Sequence, residues 1–199
     1  MSSPSKRPGH PDTRRQILQA TWEAFDERRG DVRVQDVADR AGVSRQAVYL
    51  HFGDRRGLLV ALVEYINARL GLGELERHVA GAVNGEEAIE RLVSGVIMFT
   101  ARLDSITAVF EARKQQDEGL SAAWRNRMEW RRRSFRAVFA RLEAEGKLAE
   151  GWRPDAAADL AFALTLPSPV RELTAESGWQ ASEYAKRVVA LLRRGLIGA

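Results

Sequence analysis

Two adjacent side chains with forked polar groups, Arg45 and Gln46, stand out in this sequence as candidates for specific recognition. The guanidinium of arginine presents paired donors, and the carboxamide of glutamine presents donors beside an acceptor. Tyr49, His51 and Arg55 follow within ten residues and add further polar groups. Side chains of these types pair with planar polar edges and with phosphate oxygens.

The segment that carries these residues, 34–52, has the pattern of two short helices joined by a tight turn. Apolar residues recur at i, i+3, i+4 and i+7 from Val34 to Ala41, which predicts one buried helical stripe. Gly42 can adopt the left-handed conformation that ends such a helix, and Ser44 can cap the next one. Two helices joined this closely are typical of a helix-turn-helix, whose second helix lies in the major groove of DNA.

The segment resembles the TetR (tetracycline-repressor-like) family of bacterial regulators. The resemblance covers about a quarter of the chain closely and lies in the runs Asp36-Val37-Ala38, Ala41-Gly42-Val43-Ser44, Tyr49-Leu50-His51-Phe52, Asp54-Arg55 and Leu58-Leu59. It implies an N-terminal three-helix DNA-binding head joined to a C-terminal helical body for ligand binding and dimerisation. It also implies a dimeric transcriptional regulator, more often a repressor than an activator, released from a palindromic operator by a small molecule.

The predicted contacts with double-stranded DNA fall on and around the two short helices. Arg45 and Gln46 are the residues expected to contact bases. Tyr49 could instead be a packing residue with a solvated hydroxyl, and His51 could lie at the edge of the core with its hydrogen bonds made to the backbone. Arg33 stands where the family has threonine; it cannot cap the helix, and Asp31 is the alternative cap. The complete predicted set is Arg33, Val34, Ser44, Arg45, Gln46, Ala47, Tyr49, His51 and Arg55.

The rest of the chain predicts an all-α protein in three parts. These parts are a disordered leader at 1–11, a head at 12–57 with a connecting helix from 54, and a body at 71–199. Lys6 and Arg7 in the leader could alternatively form an arm that contacts DNA. Apolar periodicity predicts body helices at about 86–103, 105–117, 120–146, 155–174 with a break at the prolines, and 180–197.

Two surfaces of the body are predicted from the resemblance together with apolar spacing. Ordinary core within one chain is the alternative for both, and for the pocket it is the stronger interpretation. An arginine in the pocket would favour an anionic effector. The predicted dimer interface is Leu160, Leu164, Ala181, Tyr184, Ala185, Val188, Leu191 and Leu192, and the predicted ligand pocket is Met98, Phe99, Arg102, Phe110, Trp124, Met128 and Arg131.

Composition excludes several classes of function. The 199 residues contain no cysteine and three histidines, and they lack the spacings of a metal site, a phosphate-binding loop or a nucleophile elbow. We therefore expect no enzyme and no cofactor, and we expect a cytoplasmic protein without a membrane partner. Residues 1–56 hold 11 of the 31 basic residues and 8 of the 27 acidic ones, so much of the net charge of +4 lies around the helix-turn-helix. The runner-up function is a helical interaction module with a non-binding head.

Overall fold

The computed structural model describes residues 11–198, and these are helical apart from turns and one isolated β-bridge between Leu148 and Ile197. The all-α prediction is confirmed. The predicted leader, with Lys6 and Arg7, lies outside the described residues except for Pro11, at which α1 begins. The helices are α1 (Pro11–Glu27), α2 (Val34–Ala41), α3 (Arg45–Phe52), α4 (Arg55–Arg69), α5 (Leu72–Ala80), α6 (Gly85–Arg102), α7 (Asp104–Arg113), α8 (Glu118–Ala144), α9 (Pro154–Leu164), α10 (Pro167–Arg171) and α11 (Ala181–Leu196).

The helices group into two compact units. Unit 1 comprises the residues up to Arg69 together with Val109–Asn126, and unit 2 comprises Leu70–Ala108 together with the residues from Arg127 onward. The sequence prediction assigned everything from 71 onward to the body, so the grouping of 109–126 with the head is a difference. Aromatic stacking contributes to this grouping, because the ring centroids of Phe110 and Phe25 lie 5.1 Å apart.

The helix-turn-helix forms as the sequence predicts. The four apolar residues of the α2 stripe are buried, which follows from their shared helical face. Gly42 is left-handed (φ 63°, ψ 34°), and its amide donates to carbonyls of the last turn of α2. Ser44 then caps α3 by accepting a hydrogen bond from the amide of Ala47 at 3.1 Å. These two local devices fix the direction in which α3 leaves the turn.

The starts of α2 and α4 differ in their capping. Arg33 occupies the capping position of α2 and makes no capping hydrogen bond, as expected for a side chain without an acceptor. Among the described residues Asp31 makes no capping bond either, and its carboxylate lies 4.0 Å from Arg33. At α4, Asp54 accepts a hydrogen bond from the amide of Gly57 at 2.7 Å and thereby caps the helix.

Unit 2 is organised around α6, whose apolar face is buried against α5 and α11. The sequence prediction placed the first helix of the body at about 86 and missed α5. Leu75 on α5 packs against Gly95 of α6, where an added Cβ would lie 2.1 Å from a Leu75 methyl carbon. The predicted break in the helix after 155 is confirmed, since α9 ends at Leu164 and α10 begins at Pro167.

No single helix within 11–198 is long and apolar enough to cross a membrane. The pair α6 and α7 meets the length and composition test only when taken together, and it bends by 81° at the break.

Candidate nucleic-acid interface

The outer face of α3 presents a compact group of polar and apolar side chains. Arg45, Gln46, Tyr49 and Leu50 are all exposed, with Leu50 67% accessible. The opposite face is anchored by the buried Val48. The helix is therefore held by one face and leaves the other free for a partner, as a recognition helix must.

Arg45 and Gln46 lie in the first turn of α3, immediately after the Ser44 cap. The Arg45 guanidinium is 3.5 Å from the hydroxyl of Tyr49, and none of the described residues forms an ion pair with it. Its donors are therefore not neutralised by a carboxylate. The structure brings together the two expected base readers and Tyr49 on one accessible surface.

Four predicted contact residues are less accessible or already engaged. The side chains of Val34 and Ala47 are buried, so Val34 could offer a partner only its main chain. The Ser44 oxygen accepts the capping bond, which leaves its hydroxyl hydrogen free to donate. His51 is half-buried, with its ring 5.9 Å from that of Phe52.

Arg55 has partners that the sequence prediction did not foresee. Its two terminal nitrogens donate to the carboxylate of Asp117 at 2.9 and 2.7 Å, and its Nε donates to the carbonyl of Val32 at 2.7 Å. The hydrogen bonds from Arg55 keep the pKa of the Asp117 carboxyl below its ordinary value. In this conformation Arg55 ties the start of α4 to the loop before α2, and a phosphate would have to compete with Asp117 for it.

Ion pairs distinguish the available arginines of unit 1 from the occupied ones. Arg40 binds Glu27, which lowers the pKa of that carboxyl through their hydrogen bond, and Arg28 lies 2.6 Å from Asp36. By contrast, Arg14 lies over the ring of Phe52 at 5.3 Å, and no described residue gives it a carboxylate partner. Arg14 and Arg45 are therefore accessible to an external anion, and the exposed Arg33 has only a long contact of 4.0 Å with Asp31.

The predicted pocket residues are divided between the two units. Phe110 and Trp124 belong to unit 1, where their rings stack with centroids 6.3 Å apart. The other five belong to unit 2: Met98 and Arg102 are exposed, whereas Phe99, Met128 and Arg131 are buried.

A cavity that the sequence prediction missed lies within unit 2 between α5, α6 and α8. Its volume is about 280 Å³, and its lining is mainly apolar. Trp130 forms part of the wall and donates its indole N–H to Glu76 at 2.5 Å, while Arg141 is also in the wall. Further lining residues are Leu75, Val79, Leu92 and Val138.

The predicted dimer residues face in two directions. Tyr184, Ala185, Val188 and Leu192 are buried within the chain, and the Tyr184 hydroxyl donates to the carbonyl of Leu164 at 2.6 Å. Burial also raises the pKa of the Tyr184 hydroxyl. Leu160 and Leu191 are instead exposed, Leu191 to 59%, and Leu164 and Ala181 are intermediate. Only part of the predicted set is free to meet another molecule.

The capped turn and the exposed polar face of α3 define a helix-turn-helix domain of the DNA-binding class. A sequence profile described as bacterial regulatory proteins of the tetR family matches residues 17–62, which include α2 and α3. The HTH-type transcriptional regulator TtgR of Pseudomonas putida is 36% identical over 83 residues, which are 41% of this chain and 36% of TtgR. The chain therefore matches about a third of the length of that relative.

Solved structures share the fold over nearly the whole chain. A TetR transcription regulator from Haloarcula marismortui has a TM-score of 0.72 at 18% identity, covering 95% of this chain and all of that one. The transcriptional regulator FadR of Bacillus subtilis, solved in complex with stearoyl-CoA, has a TM-score of 0.68 at 17% identity, covering 91% of this chain and 98% of that one.

Residues 17–62 thus match the tetR family of bacterial regulatory proteins, and the curated relatives share a segment of 83 to 86 residues with this chain. The sequence resemblance is thereby confirmed. The curated relatives are transcriptional regulators rather than enzymes, which agrees with the prediction that this chain has no catalytic function.

Proposed function

We propose that this protein is a dimeric transcriptional repressor that binds a palindromic operator and is released by a small-molecule effector. The observation that carries the proposal is the exposed face of α3, on which Arg45 and Gln46 follow directly after a helix cap. A capped, one-sidedly buried helix holds its polar side chains in a fixed direction, which sequence-specific binding requires.

Base recognition falls to three exposed side chains of α3. Arg45 suits the O6 and N7 acceptors of guanine, and Gln46 suits the N6 and N7 groups of adenine. Each such bidentate pair discriminates against the wrong base by about 1–3 kcal/mol. Leu50, which the sequence prediction did not include, adds an exposed apolar group suited to a thymine methyl.

Phosphate contacts fall to the available cations and to the start of α2. Arg33 is exposed beside the uncapped first turn of α2, where free amides and the helix dipole favour an anion. Arg14 and the Ser44 hydroxyl offer further donors. Arg55 acts chiefly as the residue that holds the loop before α2, because its donors already bind Val32 and Asp117.

Dimerisation falls to the outward faces of α9 and α11. On α9 the exposed residues Ala156, Leu160 and Ala163 follow helical spacing, and on α11 the adjacent residues Ala190 and Leu191 are exposed. Small residues beside exposed leucines allow two helices to approach closely. The residues of α11 that face inward stabilise each subunit instead.

Two heads bind better than one when their recognition helices lie about 34–36 Å apart, the distance between successive major grooves on one face of DNA. An effector releases the operator if it binds more tightly to a dimer conformation in which the two heads have a different separation. Its binding then shifts the population of dimers toward that conformation. The stearoyl-CoA bound to the FadR neighbour supports a small-molecule effector for this fold.

Gel shift and footprinting on the DNA upstream of the protein's own gene test this function. We expect nanomolar binding to a near-palindrome, with a loss of at least tenfold in R45A or Q46A. Arg56→Ala is the matched control, because Arg56 is exposed but pairs with Glu118. Binding that is equally strong to any duplex, or no binding, would support the helical interaction module instead.

A further inference from the structure

Two arginines one helical turn apart on α8 are buried, which is rare for this residue type. Arg127 is 9% exposed and Arg131 is 2% exposed, and both belong to unit 2. The neighbouring Arg132 and Arg133 lie on another face of α8 and are exposed. The burial of this pair requires a physical reason.

The partners of Arg131 carry no charge. Its guanidinium donates to the carbonyl of Thr165 at 2.6 Å and to the hydroxyl oxygen of Thr100 at 2.8 Å. Its Nε is buried without a partner. No carboxylate among the described residues forms an ion pair with Arg131, so its positive charge is not neutralised.

The guanidinium of Arg127 makes fewer hydrogen bonds than that of Arg131. Both of its terminal nitrogens are buried and make no hydrogen bond. Its guanidinium instead lies over two rings, 4.3 Å from the centroid of Trp130 and 5.4 Å from that of Phe99. The aromatic faces attract the cation, but they leave its in-plane donors unused.

Both guanidinium groups stay charged. Burial lowers the pKa of Arg127 to about 10, and burial together with the charge of Arg127 lowers the pKa of Arg131. Arg127 is therefore protonated at neutral pH, and an arginine side chain such as that of Arg131 does not lose its proton in a folded protein. Two like charges therefore lie close together in a site shielded from water, an arrangement that an anion would stabilise.

We propose that Arg127 and Arg131 bind the carboxylate of the effector. This inference rests on the proposed function, because it assigns the chemical class of the molecule that releases the operator. The unpaired donors of Arg127 form a planar fork that matches a carboxylate. Arg131 adds the second positive charge from the next turn of the same helix.

The residues around Arg127 favour an apolar group for the part of the ligand beyond its carboxylate. Phe99 and Trp130 flank the guanidinium of Arg127, and Trp130 also forms a wall of the apolar cavity between α5, α6 and α8. Glu76, which accepts the indole N–H of Trp130 at 2.5 Å, partly offsets the lowering of the Arg127 pKa by burial. Two cations and one nearby carboxylate therefore leave one positive charge to be balanced. The occupant is accordingly a monocarboxylate with an aliphatic or aromatic body.

Thermal unfolding of the full-length protein tests the assignment with matched acids and amides. The probes are straight-chain carboxylates of four to twelve carbons and benzoate, each compared with its carboxamide, in buffer without phosphate or sulfate. We expect at least one carboxylate to raise the Tm and its amide to have no effect. Arg127→Met should weaken the apparent affinity for that carboxylate at least tenfold, whereas Arg133→Met, which removes an exposed charge from the same helix, should not.

The ligand-free variants provide a second readout. Because no carboxylate accepts a hydrogen bond from the buried guanidinium of Arg127, Arg127→Met should leave the Tm of the ligand-free protein unchanged or raise it. Arg127→Lys keeps the charge but lacks the planar fork of donors, and its affinity for the carboxylate should fall at least threefold. A ligand-free R127M protein that melts several degrees lower would show that Arg127 has a structural role, and would overturn the proposal.

Other results would also overturn the proposal. These are equal shifts with acids and amides, a response to inorganic phosphate alone, or no response to any carboxylate. The gel shift separates this failure from failure of the proposed function. A wild-type protein that binds its operator but ignores every carboxylate contradicts only the effector class.

Discussion

Arg55 at the start of α4 donates two parallel hydrogen bonds to the carboxylate of Asp117, at 2.9 and 2.7 Å. Asp117 also accepts a bond from the amide of Leu120 at 3.1 Å and thereby caps α8. The Arg55 Nε binds the carbonyl of Val32 in the loop before the helix-turn-helix. One ion pair thus connects the starts of two helices to the loop that positions the DNA-binding face.

Removing the charge of Asp117 should destabilise the protein by about 1–2 kcal/mol, a magnitude typical of a partly buried charged hydrogen bond. Asp117→Asn keeps a capping side chain and loses only the ion pair. Chemical denaturation at pH 7 measures the change. Glu118→Gln is the matched control, because the exposed pair of Glu118 with Arg56, at 3.3 Å, should contribute under about 0.5 kcal/mol.

The same ion pair makes the free energy of unfolding depend on pH. The hydrogen bonds from Arg55 lower the pKa of Asp117 in the folded state, whereas the unfolded value is about 4. The stabilisation is therefore complete above pH 4 and is lost as the pH falls through the folded-state pKa. The difference in unfolding free energy between wild type and D117N should shrink below pH 4. A difference that stays constant down to pH 2 would contradict the assignment.

Ser44→Ala should remove the cap of α3 and cost about 1 kcal/mol. DNA affinity should fall with it, because the first turn of α3 carries Arg45 and Gln46. Ser44→Asn restores an acceptor and should recover the stability. Thermal unfolding and gel shift on the same preparations check the two effects, and an alanine variant as stable as wild type would show that the cap contributes nothing.

Arg33→Ala should weaken binding to all duplexes alike and reduce the slope of log affinity against log salt by about 1, since one phosphate contact is lost. Arg40→Ala is the control, because Arg40 is engaged by Glu23 and Glu27. Its salt slope should equal that of wild type. Titrations at several salt concentrations measure both slopes, and an unchanged slope in R33A would exclude a phosphate contact.

Leu191→Glu should convert the dimer to a folded monomer. Leu191 is exposed, and a buried carboxylate at an interface would be costly. Leu192→Ala, one residue further on the buried face, should instead lower stability by about 2–5 kcal/mol with the dimer retained. Sedimentation equilibrium and thermal unfolding distinguish the two. A dimer that persists in L191E would place the interface elsewhere.

The sequence predicts what is decided locally. The α2 stripe, the left-handed Gly42 and the Ser44 cap all depend on residues a few positions apart, and each forms as predicted. Both ends of α8 lie within two residues of the prediction, and α9 begins one residue before its predicted start, at Pro154.

What the sequence leaves undecided depends on distant partners. Arg55 has the right type for a phosphate contact, and only the fold reveals Asp117 sixty-two positions away. Leucines occur on both faces of α11, so periodicity alone does not tell which face meets the core. Arg127 lies in a helix rich in arginine, and nothing in the spacing distinguishes the buried cations from the exposed ones.

Selection of binding sites from random duplex DNA tests the central claim most directly, because it requires no knowledge of the operator. A dimer whose two α3 helices read successive major grooves should enrich two inverted half-sites with centres about 10 base pairs apart, or a multiple of that distance. Substituting Arg45 or Gln46 should change the preferred base at one position of each half-site. A pool without an enriched motif, or one enriched in a single unpaired site, would contradict the account.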